Sequence, residues 1–229
     1  MSLFSIVLIA VSTLSIGFMR TNQQNINRQD QIDVARSATE AMSKTLRTAV
    51  MPSQLTSSCA GACAADAFVL GQDFAVQFYA NLNNAGNTVG PSRVTYTVIT
   101  AGGVSSLVEK IQTPDSPVPA ASGYLYCDAE AAGASSTCKA RLRTRTLAVG
   151  VQTATPMFSY YSATSATALS PAASGGSLSS TDLGNVLAIE LHVTVQKQAS
   201  ARANPTTYIQ RITLPNAQAV LRQEEAATP

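Results

Sequence analysis

Residues 1–19, MSLFSIVLIAVSTLSIGFM, carry no charged side chain, and the first charge arrives at Arg20. As a helix this run is roughly 28 Å long, close to the hydrocarbon thickness of a bilayer. After Arg20 the polarity rises, yet apolar or small residues recur at Ile32, Ala35, Ala38, Met42, Leu46 and Ala49, the three- and four-residue spacing of one helix face. No proline interrupts the chain before Pro52. The pattern predicts one helix over residues 1–51, ~75 Å long. Its first half (1–19) is apolar all round and suited to a membrane or a filament core. Its second half is amphipathic, with Ile32, Ala35, Met42 and Leu46 turned to the body of the protein. No heptad is sustained, so a coiled coil is not expected.

Beyond Pro52 the period changes from helical to alternating. Eight runs rich in β-branched and aromatic residues (DAFVL, DFAVQFYA, SRVTYTVIT, SSLVEKIQT, ARLRTRTLAVGV, MFSYYSA, NVLAIELHVTV and TYIQRITL) are separated by Gly, Pro, Asn and Ser clusters. That pattern predicts an antiparallel sheet. In the clearest run, Leu187, Ile189, Leu191, Val193 and Val195 share one face, and Glu190, His192, Thr194 and Gln196 the other. The stretches ATSATALSPAASGGSLSSTD and SARANPT read as mobile loops. The expected class is α+β: an N-terminal helix, residues 1–51, and a β-rich domain, residues 52–229.

Only 12% of the 229 residues are charged, against 45% hydrophobic, so the domain must stay in solution through hydroxyls and amides. A net charge of +2 is too small to argue for nucleic acid or membrane surfaces in general. The four cysteines form two local pairs, Cys59 with Cys63 and Cys127 with Cys138. Three connectivities are formally open, and the short spacings favour the local one. A four-thiolate zinc site is disfavoured by those spacings, and the single histidine, His192, lies elsewhere in the chain. Disulfides place the domain outside the cytoplasm. Arg20 and Arg28, just after the apolar run, point the other way under the positive-inside rule. A basic leader once ahead of Met1 resolves the conflict. A cleavable secretory signal fits less well, because nothing basic precedes the run and no Ala-x-Ala cut site follows it.

Candidate chemistry is sparse. Glu190 and His192 share a strand face, but without a nucleophile motif they read as polar surface. NLNNAG, residues 81–86, imitates a calcium loop yet lacks charged oxygen ligands, which leaves it a turn. Lys139, Arg141, Arg143 and Arg145 alternate, so an extended backbone lines them along one face. They are candidates for DNA or a cell-wall polyanion, although basic side chains also guard sheet edges, the favoured reading. No enzyme activity and no cofactor are expected.

The helix end ARSATEAMSKTLRTAV, the stretches DFAVQFYANLNNAG, PSRVTYTVI and SSLVEKIQTP, and the later RTLAVGVQTATPMFSYYSA, NVLAIELHVTVQ and IQRITLPN together resemble type IV pilins and type II secretion pseudopilins. The closest likeness is to J-type pseudopilins and PilW-like minor pilins. The resemblance implies Met1 as the processed, N-methylated first residue, with Leu3, Ser5, Ile6 and Ile9 as assembly positions. It also implies a structural filament subunit, initiating or tip-proximal, that waits in the cytoplasmic membrane with its domain outside. Its partners would be other pilin or pseudopilin subunits. Ser5 stands where such proteins carry Glu. The rival class is a single-pass anchored binding domain that never polymerises.

Overall fold

A computed structural model describes residues 2–55, 63, 66–163, 166–171, 175–196 and 204–215. Helix α1 (Ser2–Leu46) is followed by β1 (Phe68–Gly71), β2 (Ala75–Ala80), β3 (Ser92–Ala101), β4 (Val104–Gln112), α2 (Ser136–Ala140) and β5 (Leu142–Val149). Then come β6 (Phe158–Tyr161), α3 (Ser180–Gly184), β7 (Ala188–Val195) and β8 (Thr206–Thr213). Each of the eight runs read as strands holds one of these β-strands. They form two antiparallel sheets rather than one, in the orders β1-β2-β3-β4-β5 and β6-β7-β8.

The two sheets meet where β5 runs out. Gln152 N–H donates to Thr194 O and Gln196 N–H to Gly150 O, both at 2.8 Å, so the chain after β5 pairs with the end of β7. Helix α1 lies across this junction and packs on β5, β7 and β8. Ala35, Ala38, Met42 and Leu46 enter a core shared with Val76, Phe78, Tyr96 and Leu107 of the larger sheet and Ile189, Leu191, Val193 and Ile212 of the smaller. The alternation read in β7 holds: Ile189, Leu191, Val193 and Val195 are all buried.

Three expectations are corrected. The helix ends at Leu46, not near residue 51, because the backbone peels away to the larger sheet. Val50 N–H donates to Tyr79 O at 2.9 Å and Asn81 N–H to Thr48 O at 3.0 Å, ending the intrahelical ladder. Ile32 is 37% exposed, while Gln31 is 1% exposed and takes the core position. At about 100° per residue, Gln31 lies near the middle of the arc defined by Ala35, Ala38, Met42 and Leu46, and Ile32 falls on its flank. The stretch 163–182 is not simply a loop: Leu178 is buried and donates its N–H to Gly71 O at 2.8 Å. There Ser179 also caps α3, its hydroxyl accepting from Asp182 N–H.

Candidate functional site: apolar arm and outer cleft

The first half of α1 stands clear of the domain. Phe4, Val7, Leu8, Ile9, Val11, Leu14, Ile16, Phe18 and Met19 are each 49–79% exposed. No proline falls in this half, and the helix continues through its β-branched residues and the single Gly17. The side chains of Leu3, Ser5 and Ile6, and all of Met1, lie outside the described residues. Among the described residues no helix is long and apolar enough to cross a membrane. At the base of the arm, a groove of about 350 Å³ runs between Gln31 and Val34 of α1 and Leu147, Val149 and Val195 of the sheets. Thr206 Oγ1 donates to Gln31 Oε1 at 3.3 Å, but the Gln31 amide nitrogen has no partner.

The basic row does not form as an extended line. Lys139 sits in α2 and Arg141 is the residue that caps it, so only Arg143 and Arg145 lie on β5. Arg141 Nη1 pairs with Asp115 at 2.8 Å, and Arg145 Nη2 pairs with Glu109 at 2.9 Å. Glu109 is buried and also accepts a 2.8 Å bond from the Tyr96 hydroxyl, whose own ionisation burial pushes far up. Two of the four cations are therefore spent within the fold, which removes the four-charge stripe. β5 is the terminal strand of its sheet.

Cys127 and Cys138 are bonded, as the spacing predicted, with Cα atoms 6.0 Å apart. Cys63 is disulfide-bonded, and Cys59 lies outside the described residues. The Cys127–Cys138 loop is strapped to the outer face of the larger sheet. Tyr126 Oη donates to Pro91 O at 2.6 Å, Gln112 Nε2 donates to Cys127 O, and Arg93 sits 4.7 Å from the centre of the Tyr126 ring. Lys110 Nζ reaches both oxygens of Glu130, at 2.8 and 2.7 Å. Between loop and sheet lies a cleft of about 380 Å³, lined by Gln77, Arg93, Thr95, Lys110, Asp128 and Glu130 among others. The cleft was not legible in the sequence, since its walls come from β2, β3, β4 and a loop distant in the chain.

NLNNAG is a turn held by its own amides: Asn84 Oδ1 accepts from the N–H groups of Val89 and Gly90 at 2.8 and 3.1 Å, and Asn84 Nδ2 donates to Asn81 Oδ1. Gly90, at φ +89°, has no room for a Cβ beside Tyr124. On the smaller sheet, Glu190 Oε1 lies 2.8 Å from His192 Nε2 and Glu190 Oε2 3.0 Å from Arg211 Nε. These partners, His192 first, hold the Glu190 carboxyl below its ordinary range. Arg211 also lies 3.9 Å from the centre of the Tyr161 ring, so the acid is tied into a polar surface network. No group of His, Cys, Asp and Glu placed to hold a metal occurs among the described residues. No family model, curated protein or solved structure matches the chain.

Proposed function

We propose that the chain is a structural subunit of a type IV pilus-like or type II secretion pseudopilus filament, assembled through its N-terminal helix and placed near the initiating tip. The observation that carries this reading is the division of one continuous helix. One face of its C-terminal half is buried between two sheets, and its N-terminal half presents large apolar side chains to no partner among the described residues. Water penalises such surface by about 25 cal/mol per Å². It must therefore be covered, by lipid before assembly and by the helices of neighbouring subunits afterwards. A simple anchor needs only the apolar run, whereas here ten buried or half-buried positions between Gln31 and Leu46 make the helix part of the domain itself. The membrane stage rests on residues 1–19 of the sequence, an uncharged run that as a helix matches the bilayer core.

Mass spectrometry of surface filaments sheared from cells tests this reading. The chain should be found in the filament fraction, in low copy, with its mature N-terminus at Met1 and N-methylated. Retention in the cytoplasmic membrane with complete absence from filaments would return the single-pass anchored domain.

A further inference from the structure

We infer that the outer cleft is a binding site for a neutral, polyhydroxylated ligand, a sugar. The inference does not depend on the filament reading, since the cleft belongs to the folded domain and faces away from α1.

The charges in the cleft balance, Arg93 and Lys110 against Asp128 and Glu130, and Lys110 and Glu130 are paired with each other. Lys110 and Glu130 hold each other in a two-point contact, and Arg93 lies over Tyr126 while donating to Gln112 Oε1 at 2.7 Å. An anion seated on Lys110 would face the Glu130 carboxylate, and a cation seated on Glu130 would face Lys110. Either must break the ion pair to gain a contact of the same kind. A neutral ligand needs only the hydrogen-bonding capacity left over, and that capacity is mixed in sign.

Thr95 Oγ1 accepts from Gln77 Nε2 at 2.8 Å, so the Thr95 O–H is a free donor. Lys110 keeps one N–H and Arg93 several. Asp128 Oδ1 is spent on the N–H groups of Glu130 and Ala131, while Asp128 Oδ2 and Gln77 Oε1 accept nothing among the described residues. Donors and acceptors thus both remain open in a cleft of about 380 Å³, room for a small saccharide. A sugar hydroxyl, which donates and accepts at once, is the group that matches both. Gln112, buried and bonded at both ends of its amide, fixes the floor to the roof, so the site is formed before the ligand arrives.

Saturation-transfer NMR on the full chain in phosphocholine micelles, which carry no sugar headgroup, provides the test. The probes are glucose, galactose, N-acetylglucosamine and maltose, with inorganic phosphate as the competing ion. At least one sugar should receive saturation. The Gln77→Leu/Thr95→Val pair should weaken that binding about fivefold for each hydrogen bond lost. If the double variant does not fold, Thr95→Val alone carries the same comparison. Three outcomes overturn the proposal: no transfer to any sugar, equal transfer to wild type and variant, or displacement of the sugar by phosphate.

Discussion

At the scale of single residues, polar side chains in this domain are placed where a second group completes them, and Glu190 is the clearest case. Its carboxylate meets His192, Arg211 and the Tyr161 hydroxyl on the open face of β7, and its ionised form is favoured. A carboxyl whose folded pKa lies below its unfolded value adds stability that is fully present above the unfolded pKa, near 4. That stability is lost as pH falls through the folded pKa. Glu190→Gln should therefore be less stable than wild type at neutral pH, with the gap closing toward pH 2. Urea unfolding across that range reads it, and a gap that stays constant would show that charge is not what the site stabilises. The Gln31 amide nitrogen, which with Gln210 Oε1 is a buried polar atom lacking a partner among the described residues, runs against this economy: a buried donor left unpaired costs about 1–3 kcal/mol.

Among the elements, the helix–sheet seam depends on small residues. Ala35 and Ala38 are 0% and 1% exposed, which lets the α1 backbone approach both sheets. Ala38→Leu would force three further carbons into filled space and should cost about 1–3 kcal/mol in urea unfolding. Ile32→Ala, two turns earlier on the flank, should stay within about 0.5 kcal/mol. The reverse ranking would mean that the helix packs on the face first read from the sequence. That face was nearly right because helical period places Ala35, Ala38, Met42 and Leu46 together whatever lies around them. Ile32 departs from it because angle, not hydrophobicity, decides the position: a glutamine sits near the centre of the arc and an isoleucine at its rim. Strands were legible for a similar reason, since β7 alternates strictly and period two has one interpretation. The short helices α2 and α3 were not, being five residues each and made by a serine cap rather than by any periodicity. Nor was the fate of Arg141 and Arg145, whose partners Asp115 and Glu109 are brought to them only by the folded loop and the β4–β5 register.

For the whole molecule, the decisive asymmetry is a half-helix with one buried face joined to an exposed apolar one, and the proposal of a filament subunit turns on what meets the exposed end. Ser5 lies near the start of α1, at the position where the resembling filament proteins carry a carboxylate. There the acid is expected to pair with the amine of an adjoining subunit's first residue, inside an apolar spine where an unpaired charge is expensive. A serine offers a hydroxyl and no charge, so in the proposed filament this chain would leave the amine of a neighbour above it uncompensated. At the tip no such neighbour exists and the loss is free. The Met1 amine can still pair with a carboxylate from a different subunit below. Two outcomes follow in cells that make the filament. Ser5→Glu should leave filament number unchanged, because the added acid has no amine to meet and none to lose. Labelling of intact filaments through an epitope on the domain should mark one end only. Labels spaced regularly along the shaft would falsify the tip position while leaving the subunit reading in place, because a shaft built from Ser5 chains would need another group to neutralise each buried amine.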